Sequence, residues 1–490
     1  MARFRRITAL VGVALAAGLA AVPASHAATA APSTLAGSGT LSTKAGWLTD
    51  PTGRVVILHG LNQVYKVAPY LPSTDGFGAD DAAFLAANGF DAVRVGVIWS
   101  AVEPQPGHYD DHYLAGIAAT VRTLAAHGIV SLLDFHQDLF NEKFQGEGAP
   151  AWAVQDGGLP NPPLGFPGNY FANPAENHAW DQFWGNASAP DGVGLIDHYA
   201  ATWRHVAATF ATEPGVAGYE ILNEPWPGST FQPCFALFVG CSGFDGELTA
   251  FYNTVDRAIR QVDHTHLVWF EPNTLFNQGI VTKLGTVADP HTVFAFHDYC
   301  GTEAETNQDS LCPPQDTMTF DNALAYTSAH HIPTMITEFG ATNDLQNLQD
   351  TVTRSDADRF GWLEWGYTGA DITSQNSGAQ ALVYDPSKPP TGANVNAAKL
   401  KVLAEPYPQV VAGTPTSWAF SAGVFTLTYT TAKVGGGRFA TGAESDIAVP
   451  KVQFPAGYHV QVSGGRVLSA PNAPVLRVAA TRSTVTVRVS

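Results

Sequence analysis

Apolar residues fall along most of this 490-residue chain in short continuous runs. Residues 55–58, 92–97, 130–135, 216–222, 267–270, 293–296, 334–337 and 361–365 have the length and composition of strands buried on both faces. Between several of them the apolar spacing is helical. Residues 80–88 and 111–126 are the clearest cases, with Gly89 and Gly128 as stop signals. Eight strands alternating with helices predict an α/β fold, an eight-stranded parallel β/α barrel, over residues 47–404. Its segments 138–189, 225–247 and 299–318 are long loops. After Glu405 the pattern changes. Pro406, Pro408 and Pro415 interrupt the chain, and runs such as Phe425-Thr-Leu-Thr-Tyr429 and Val485-Thr-Val-Arg-Val489 alternate with period two. Residues 405–490 are therefore expected to form a C-terminal β-sandwich domain.

The first 27 residues read as a secretory signal peptide. Arg3, Arg5 and Arg6 precede an uncharged apolar run, and Ser25 and Ala27 supply the small residues of a cleavage site. The rival reading is an uncleaved membrane anchor. Residues 28–46 follow as a leader. No other segment has an apolar run long enough to span a bilayer, so the mature chain is expected to be secreted, without a transmembrane segment, as a monomer. Four cysteines in an exported chain suggest disulfides, and proximity favours Cys234–Cys241 and Cys300–Cys312. A zinc site is the alternative, but CxxC spacing is missing; no metal or cofactor is expected.

Composition narrows the function. Charged residues are 14% and aromatic residues 11% of the chain. Such an aromatic surplus suits a sugar- or lipid-binding cleft, or simply a large core. The formal net charge of -18 becomes -21 once the three signal-peptide arginines are removed. That charge repels nucleic acid and opposes electrostatic anchoring to anionic lipid.

Catalytic groups of a β/α barrel lie at the C-terminal ends of its strands. The fourth strand ends Leu222-Asn223-Glu224-Pro225 and the seventh ends Ile336-Thr337-Glu338-Phe339-Gly340. Glycoside cleavage needs two carboxyl groups across the scissile bond, one holding a proton and one ionised. Two glutamates at one barrel mouth meet that need, and Asn223 could hydrogen-bond a sugar 2-hydroxyl. A single strand-end glutamate would more often be a solvated residue or a cap.

These two segments resemble the acid/base and nucleophile segments of glycoside hydrolase family 5, in clan A. Arg94 in Val93-Arg-Val95, His136 closing Leu132-Leu-Asp-Phe-His136, His297 and Tyr299 in Phe296-His-Asp-Tyr299, and Trp365 stand in the family's order. The resemblance implies Glu224 as acid/base and Glu338 as nucleophile. Arg94 would keep Glu338 ionised, and Tyr299 would orient it. His136 and His297 would bind hydroxyls or tune the acid, and Trp365 would offer a face to a pyranose ring.

A closer resemblance, to the endoglycoceramidases, is carried by three stretches. They are His59-Gly-Leu-Asn62-Gln-Val-Tyr-Lys66, Asp134-Phe-His-Gln-Asp138 with Gly146-Glu-Gly-Ala-Pro-Ala-Trp152, and Glu405-Pro-Tyr-Pro-Gln409 through Pro415. It implies hydrolysis of the bond between glycan and ceramide, with Lys66, His136 and Asp138 on the sugar next to ceramide. The expected partner is a glycolipid in a micelle or membrane. Independently, the loop 225–243 carries Trp226, Phe231, Phe235, Leu237 and Phe238. So apolar a loop suits a lipid leaving group, or packs down as a lid with its own core. Glu364, in Trp362-Leu-Glu364-Trp365, has no counterpart in that pattern. It either adds a carboxylate to the sugar pocket or makes a salt bridge with the barrel wall. A polysaccharide hydrolase such as a cellulase or mannanase, a β-glucosidase, and a non-catalytic glycolipid-binding protein are the competing readings.

Overall fold

The computed structural model describes residues 35–37, 40–301, 309–369 and 377–490. The proposed signal peptide and most of the leader lie outside the described residues.

Eight parallel strands close into a barrel: His59–Gln63, Ala92–Val97, Val130–Phe135, Val216–Glu220, Leu267–Phe270, Thr292–Asp298, Thr334–Phe339 and Gly361–Glu364. The eighth pairs with the first, Trp362 opposite His59. Nearly every residue in these strands is buried, as double-faced burial between barrel interior and helix layer requires. The two clearest helices form as expected. One covers Asp111–Ala126, where the Asp110 side chain accepts from the backbone N–H of His112 and Tyr113 and so caps two open donors. The other covers Ala79–Ala87.

Period-two geometry decides what the barrel interior contains. Ala92, Leu132, Trp269, Ala295 and Leu363 belong to one buried apolar cluster at the barrel floor. Two residues further along four of those strands stand Arg94, Asp134, Glu271 and His297. Each strand thus places one apolar residue on the floor and one charged residue above it, pointing the same way.

The first strand differs from the sequence expectation. Residues 55–58 do not enter the barrel sheet; Val55–Val56 pairs instead with Val410 and Val411, and Ile57 N–H donates to Gln409 O at 3.1 Å. The barrel strand is the next five residues, His59–Gln63. An apolar run fits either sheet, and only the partner strand, about 350 residues away, distinguishes them.

Beyond Leu403 two antiparallel sheets face each other. One has seven strands and includes Ser42–Lys44, Trp47–Thr49 and Val55–Val56 beside Tyr407–Val411. The other has four: Thr414–Ser421, Val424–Thr430, Thr484–Val489 and Val460–Ser463. Phe425, Leu427, Tyr429, Val485, Val487 and Val489 point into the shared core, as the alternation requires. The sandwich is bonded to the barrel: Trp418 Nε1 donates to Asp356 at 2.6 Å, and His59 stacks on both Trp362 and Tyr407.

Candidate active site

Arg94 is fully buried at the barrel centre and organises the mouth. Its Nη1 donates to Glu338 and, at 3.2 Å, to Asn62 Oδ1. Nη2 donates to Asn223 Oδ1 at 2.8 Å and lies 3.1 Å from Asp134 and 3.2 Å from Glu271. Nε donates to Glu220. One guanidinium therefore serves four carboxylates besides holding two amides. Burial opposes its charge, but those carboxylates raise its pKa well above the usual value, which makes it a fixed cation.

Glu338 reaches this centre because the strand alternation breaks. The seventh strand has a β-bulge between Ile336 and Glu338, which turns Glu338 toward the mouth. Tyr299 Oη donates to Glu338 Oε2 at 2.9 Å. Burial raises the Glu338 pKa above the usual value, while His297 and Arg94 oppose that rise. Burial also raises Tyr299 well above the ordinary phenol value, so it remains a donor. The expectation that Arg94 holds Glu338 ionised needs amending. The contact is made, but the charge is shared with Asp134, Glu220 and Glu271.

Glu224 has φ +42°, a left-handed conformation that costs a non-glycine residue roughly 1 kcal/mol. Its neighbours hold it there. Its N–H donates to Glu271 Oε2 at 3.1 Å, and its carbonyl accepts from Gln137 Nε2 at 3.1 Å. Its side-chain Oε1 accepts from Asn277 Nδ2 at 2.6 Å and contacts His297 Nδ1 at 2.9 Å. One oxygen of Glu224 and one of Glu338 lie within 4.8 Å of each other, with His297 between them. Burial works against a proton on His297, yet Glu271, Glu338 and the hydrogen bond to Glu224 hold its pKa well above the usual histidine value. Asn223 is fixed at both ends of its amide, accepting from Arg94 and donating to Gln137 O at 3.0 Å.

A second cluster adjoins the first through Asp134, which bonds His136 Nδ1 at 2.8 Å. Lys66 forms an ion pair with Asp138, and its Nζ lies 4.3 Å from the Trp365 ring centroid. His136 stacks on the same ring at 5.2 Å. Burial lowers the His136 pKa, but Asp134 and Asp138 outweigh it and bring it to about 9. Burial would raise Asp138; Lys66 and His136 instead hold it below the usual carboxylate range. Because His136 titrates at 6.5 when unfolded, its stabilising charge is complete below that pH and is lost as pH rises through about 9. The melting temperature should fall between pH 6.5 and 9 by more in the native chain than in His136→Gln, as calorimetry would measure. Equal falls would remove His136 as the titrating group.

Among the described residues, three carboxylate–histidine sets approach within 4.8 Å: His136–Asp138–Glu147, Glu220–Glu271–His297 and Glu224–His297–Glu338. Lys66 stands on the first and Arg94 on the other two, so protein cations already supply the positive charge that a metal would bring.

Strand parity settles Glu364. Leu363 points to the barrel floor, so Glu364 points the other way, into the helix layer. There it is fully buried and bonds Lys399 Nζ at 2.9 Å. It makes the salt bridge and adds no carboxylate to the sugar pocket. The loop after Glu224 also divides. Trp226 is completely buried, donating to Asn177 at 2.9 Å, and Phe231 packs on it, whereas Phe235, Leu237 and Phe238 are exposed. Cys234 pairs with Cys241 and Cys300 with Cys312.

The sequence reading missed Glu271, Glu220, Asp134, Asn62, Gln137 and Asn277. A signal existed for Glu271, which directly follows the fifth strand, much as Glu224 comes shortly after the fourth and Glu338 lies near the end of the seventh.

The family model "Cellulase (glycosyl hydrolase family 5)" matches residues 52–371, and the glycoside hydrolase family 5 C-terminal domain matches residues 406–489. Endoglycoceramidase I of Rhodococcus hoagii is 36% identical over 92% of this chain and 88% of its own length. Solved structures of endo-glycoceramidase II from Rhodococcus sp. also align over 91% of this chain and 99% of theirs. The lactosyl-enzyme intermediate is 27% identical with a TM-score of 0.72, and the ganglioside GM3 complex 26% identical with a TM-score of 0.73.

Proposed function

The chain belongs to glycoside hydrolase family 5, and from that premise we propose that it hydrolyses the bond between glycan and ceramide in glycosphingolipids, with retention of configuration. The observation that carries this reading is two buried carboxylates within 4.8 Å of each other, the first followed directly by an apolar loop. Close carboxyls leave no room for an attacking water between nucleophile and sugar, which is the retaining arrangement.

In this reading Glu338 attacks the anomeric carbon while Glu224 gives its proton to the departing ceramide oxygen. Both donors to Glu224 bind Oε1, so Oε2 is the oxygen that carries the proton. Water then attacks the glycosyl-enzyme, with Glu224 as base, and Glu338 leaves. Arg94 and Tyr299 bind the Glu338 carboxylate and orient it for attack. Lys66, His136, Asp138, Asn223 and Trp365 hold the sugar. His297, 2.9 Å from Glu224 and 3.6 Å from Glu338, touches both glutamates. The proposal predicts intact glycan and intact ceramide by mass from a panel of glycosphingolipids, with the glycan first released as the β anomer. Cleavage of cellulose or mannan with no glycolipid turned over would refute it.

No described helix is long and apolar enough to cross a membrane. Export through the signal peptide is part of the proposal. The protein recovered outside the cell should begin at Ala28 on N-terminal sequencing; an intact Met1 would contradict a cleaved signal.

A further inference from the structure

Glu224 and Glu338 take side-chain donors from two different elements, and one further side chain joins those elements. Asn277, which donates to Glu224 Oε1 at 2.6 Å, stands in the short helical turn Thr274–Gln278 after the fifth strand. Tyr299, which donates to Glu338 Oε2 at 2.9 Å, directly follows the sixth. Gln315 reaches both from the helix Cys312–His330. Its Nε2 donates to Asn277 O at 2.8 Å and to Tyr299 O at 2.9 Å. An amide nitrogen carries two hydrogens, and here each holds the backbone of one donor residue.

Both ends of this bridge are themselves fastened. Thr274 N–H donates to Pro225 O at 3.1 Å, which ties the turn to the residue after Glu224. Asn322 Nδ2, from the same helix as Gln315, donates to Gly279 O at 2.9 Å just beyond the turn. On the other side, Cys300 follows Tyr299 and is disulfide-bonded to Cys312, the first residue of that helix. Pro313 and Pro314 come next, and their fixed φ stiffens the first turn, from which Gln315 projects. The contacts run without a gap from Glu224 through Asn277, Gln315 and Tyr299 to Glu338. Retaining chemistry needs the two carboxyls at one close spacing, so a part fixed to both sides has something to hold.

We infer that Gln315 is a positioning residue for the reaction: anchored by the Cys300–Cys312 disulfide, it keeps Asn277 and Tyr299 in register, so that the acid and the nucleophile are aligned together. The inference rests on the roles given above to Glu224 and Glu338. Gln315 acts through its two partners, and this separates it from either of them. Asn277 serves the acid alone, so its loss is felt where the leaving group needs a proton. Loss of Gln315 frees the nucleophile's donor as well, and is felt whatever the leaving group is.

The test uses the full mature chain and reads the rate of glycosyl-enzyme formation, from burst or single-turnover kinetics, on a dinitrophenyl and a methylphenyl β-glycoside. Asn277→Ala should slow this step about tenfold or more on the methylphenyl glycoside and stay within about threefold of native on the dinitrophenyl glycoside. Gln315→Met, similar in size but without donors, should slow it about tenfold on both, with KM within about twofold, because misalignment of about an ångström is costly in the transition state. Gln315→Lys, whose ammonium can donate to both carbonyls, should recover most of that loss. The disulfide variant Cys300→Ser/Cys312→Ser should be slowed on both substrates as Gln315→Met is, and it gives a second reading if Gln315→Met does not fold. Native rates in Gln315→Met or in the disulfide variant overturn the inference, even if the melting temperature falls, since the contacts would then be structural only. So does a Gln315→Met loss confined to the methylphenyl glycoside, which would show that Gln315 serves Asn277 alone. Turnover of a micellar glycosylceramide by the native chain is measured alongside. Its absence, with the aryl pattern as expected, would defeat the glycolipid reading and still support the positioning role.

Discussion

Glu338→Ala should abolish turnover of every β-glycoside, by about a hundred-thousandfold or more, because no other carboxylate can form the glycosyl-enzyme bond. Glu220 and Asp134 are near, but they have no exposed surface, and Glu271 is engaged by the Glu224 N–H, Arg94 and His297. Glu224→Ala should behave differently. It should lose most activity on glycolipid, whose alkoxide leaving group needs a proton, and far less in the first step on a dinitrophenyl glycoside, whose leaving group does not. Burst kinetics on both substrates would read this, since the second step still lacks its base. Equal loss on both substrates would show that Glu224 is not the acid.

Arg94→Met should unfold the chain or destabilise it by about 3–5 kcal/mol or more, because it strands several buried carboxylates without their cation. Arg94→Lys is the more instructive change. Lysine restores the charge but not the planar fork whose Nη1 and Nη2 hold Glu338, Asn62, Asn223 and Glu271 at once. A folded Lys variant should therefore keep most of its resistance to urea yet lose about a hundredfold in kcat, since Glu338 and Asn223 lose their alignment. Activity within threefold of native would show that the charge alone suffices and the fork has no positioning role.

The barrel and the two glutamates were legible because their signals are local. Seven of the eight buried strands announce themselves as apolar runs, and Glu224 and Glu338 follow or close two of them. The residues around Arg94 were less visible. Asp134 and Glu220 lie inside apolar strands, where they become site residues only once parity aligns them with Leu132 and Gly218. The same parity excludes Glu364, whose neighbour Leu363 takes the inward place. Asn277 belongs to the short helical turn Thr274–Gln278, and no strand-end rule reaches it. The loop after Glu224 looked uniformly apolar in sequence. Its division into a buried root at Trp226 and an exposed tip at Phe238 depends on residues 157–175, which supply Tyr170 and Phe171. The first strand was misplaced by four residues because strand pairing, not hydrophobicity, separates residues 55–58 from His59–Gln63.

That same segment ties the order of synthesis to the order of folding. A ribosome delivers residues 42–56 first, but the strand they pair with, Tyr407–Val411, emerges only after the whole barrel has been made. His59–Gln63 likewise waits for Gly361–Glu364 before the ring can close. Neither body can be finished vectorially from its N-terminal end, and the nascent chain carries open, apolar strand edges until late in translation. A chain with this threading can complete its folding only after residues 407–411 have been made. It is poorly suited to division, since a product stopped before Tyr407 would keep Val55 and Val56 as an unmatched edge and His59 without the ring that covers it.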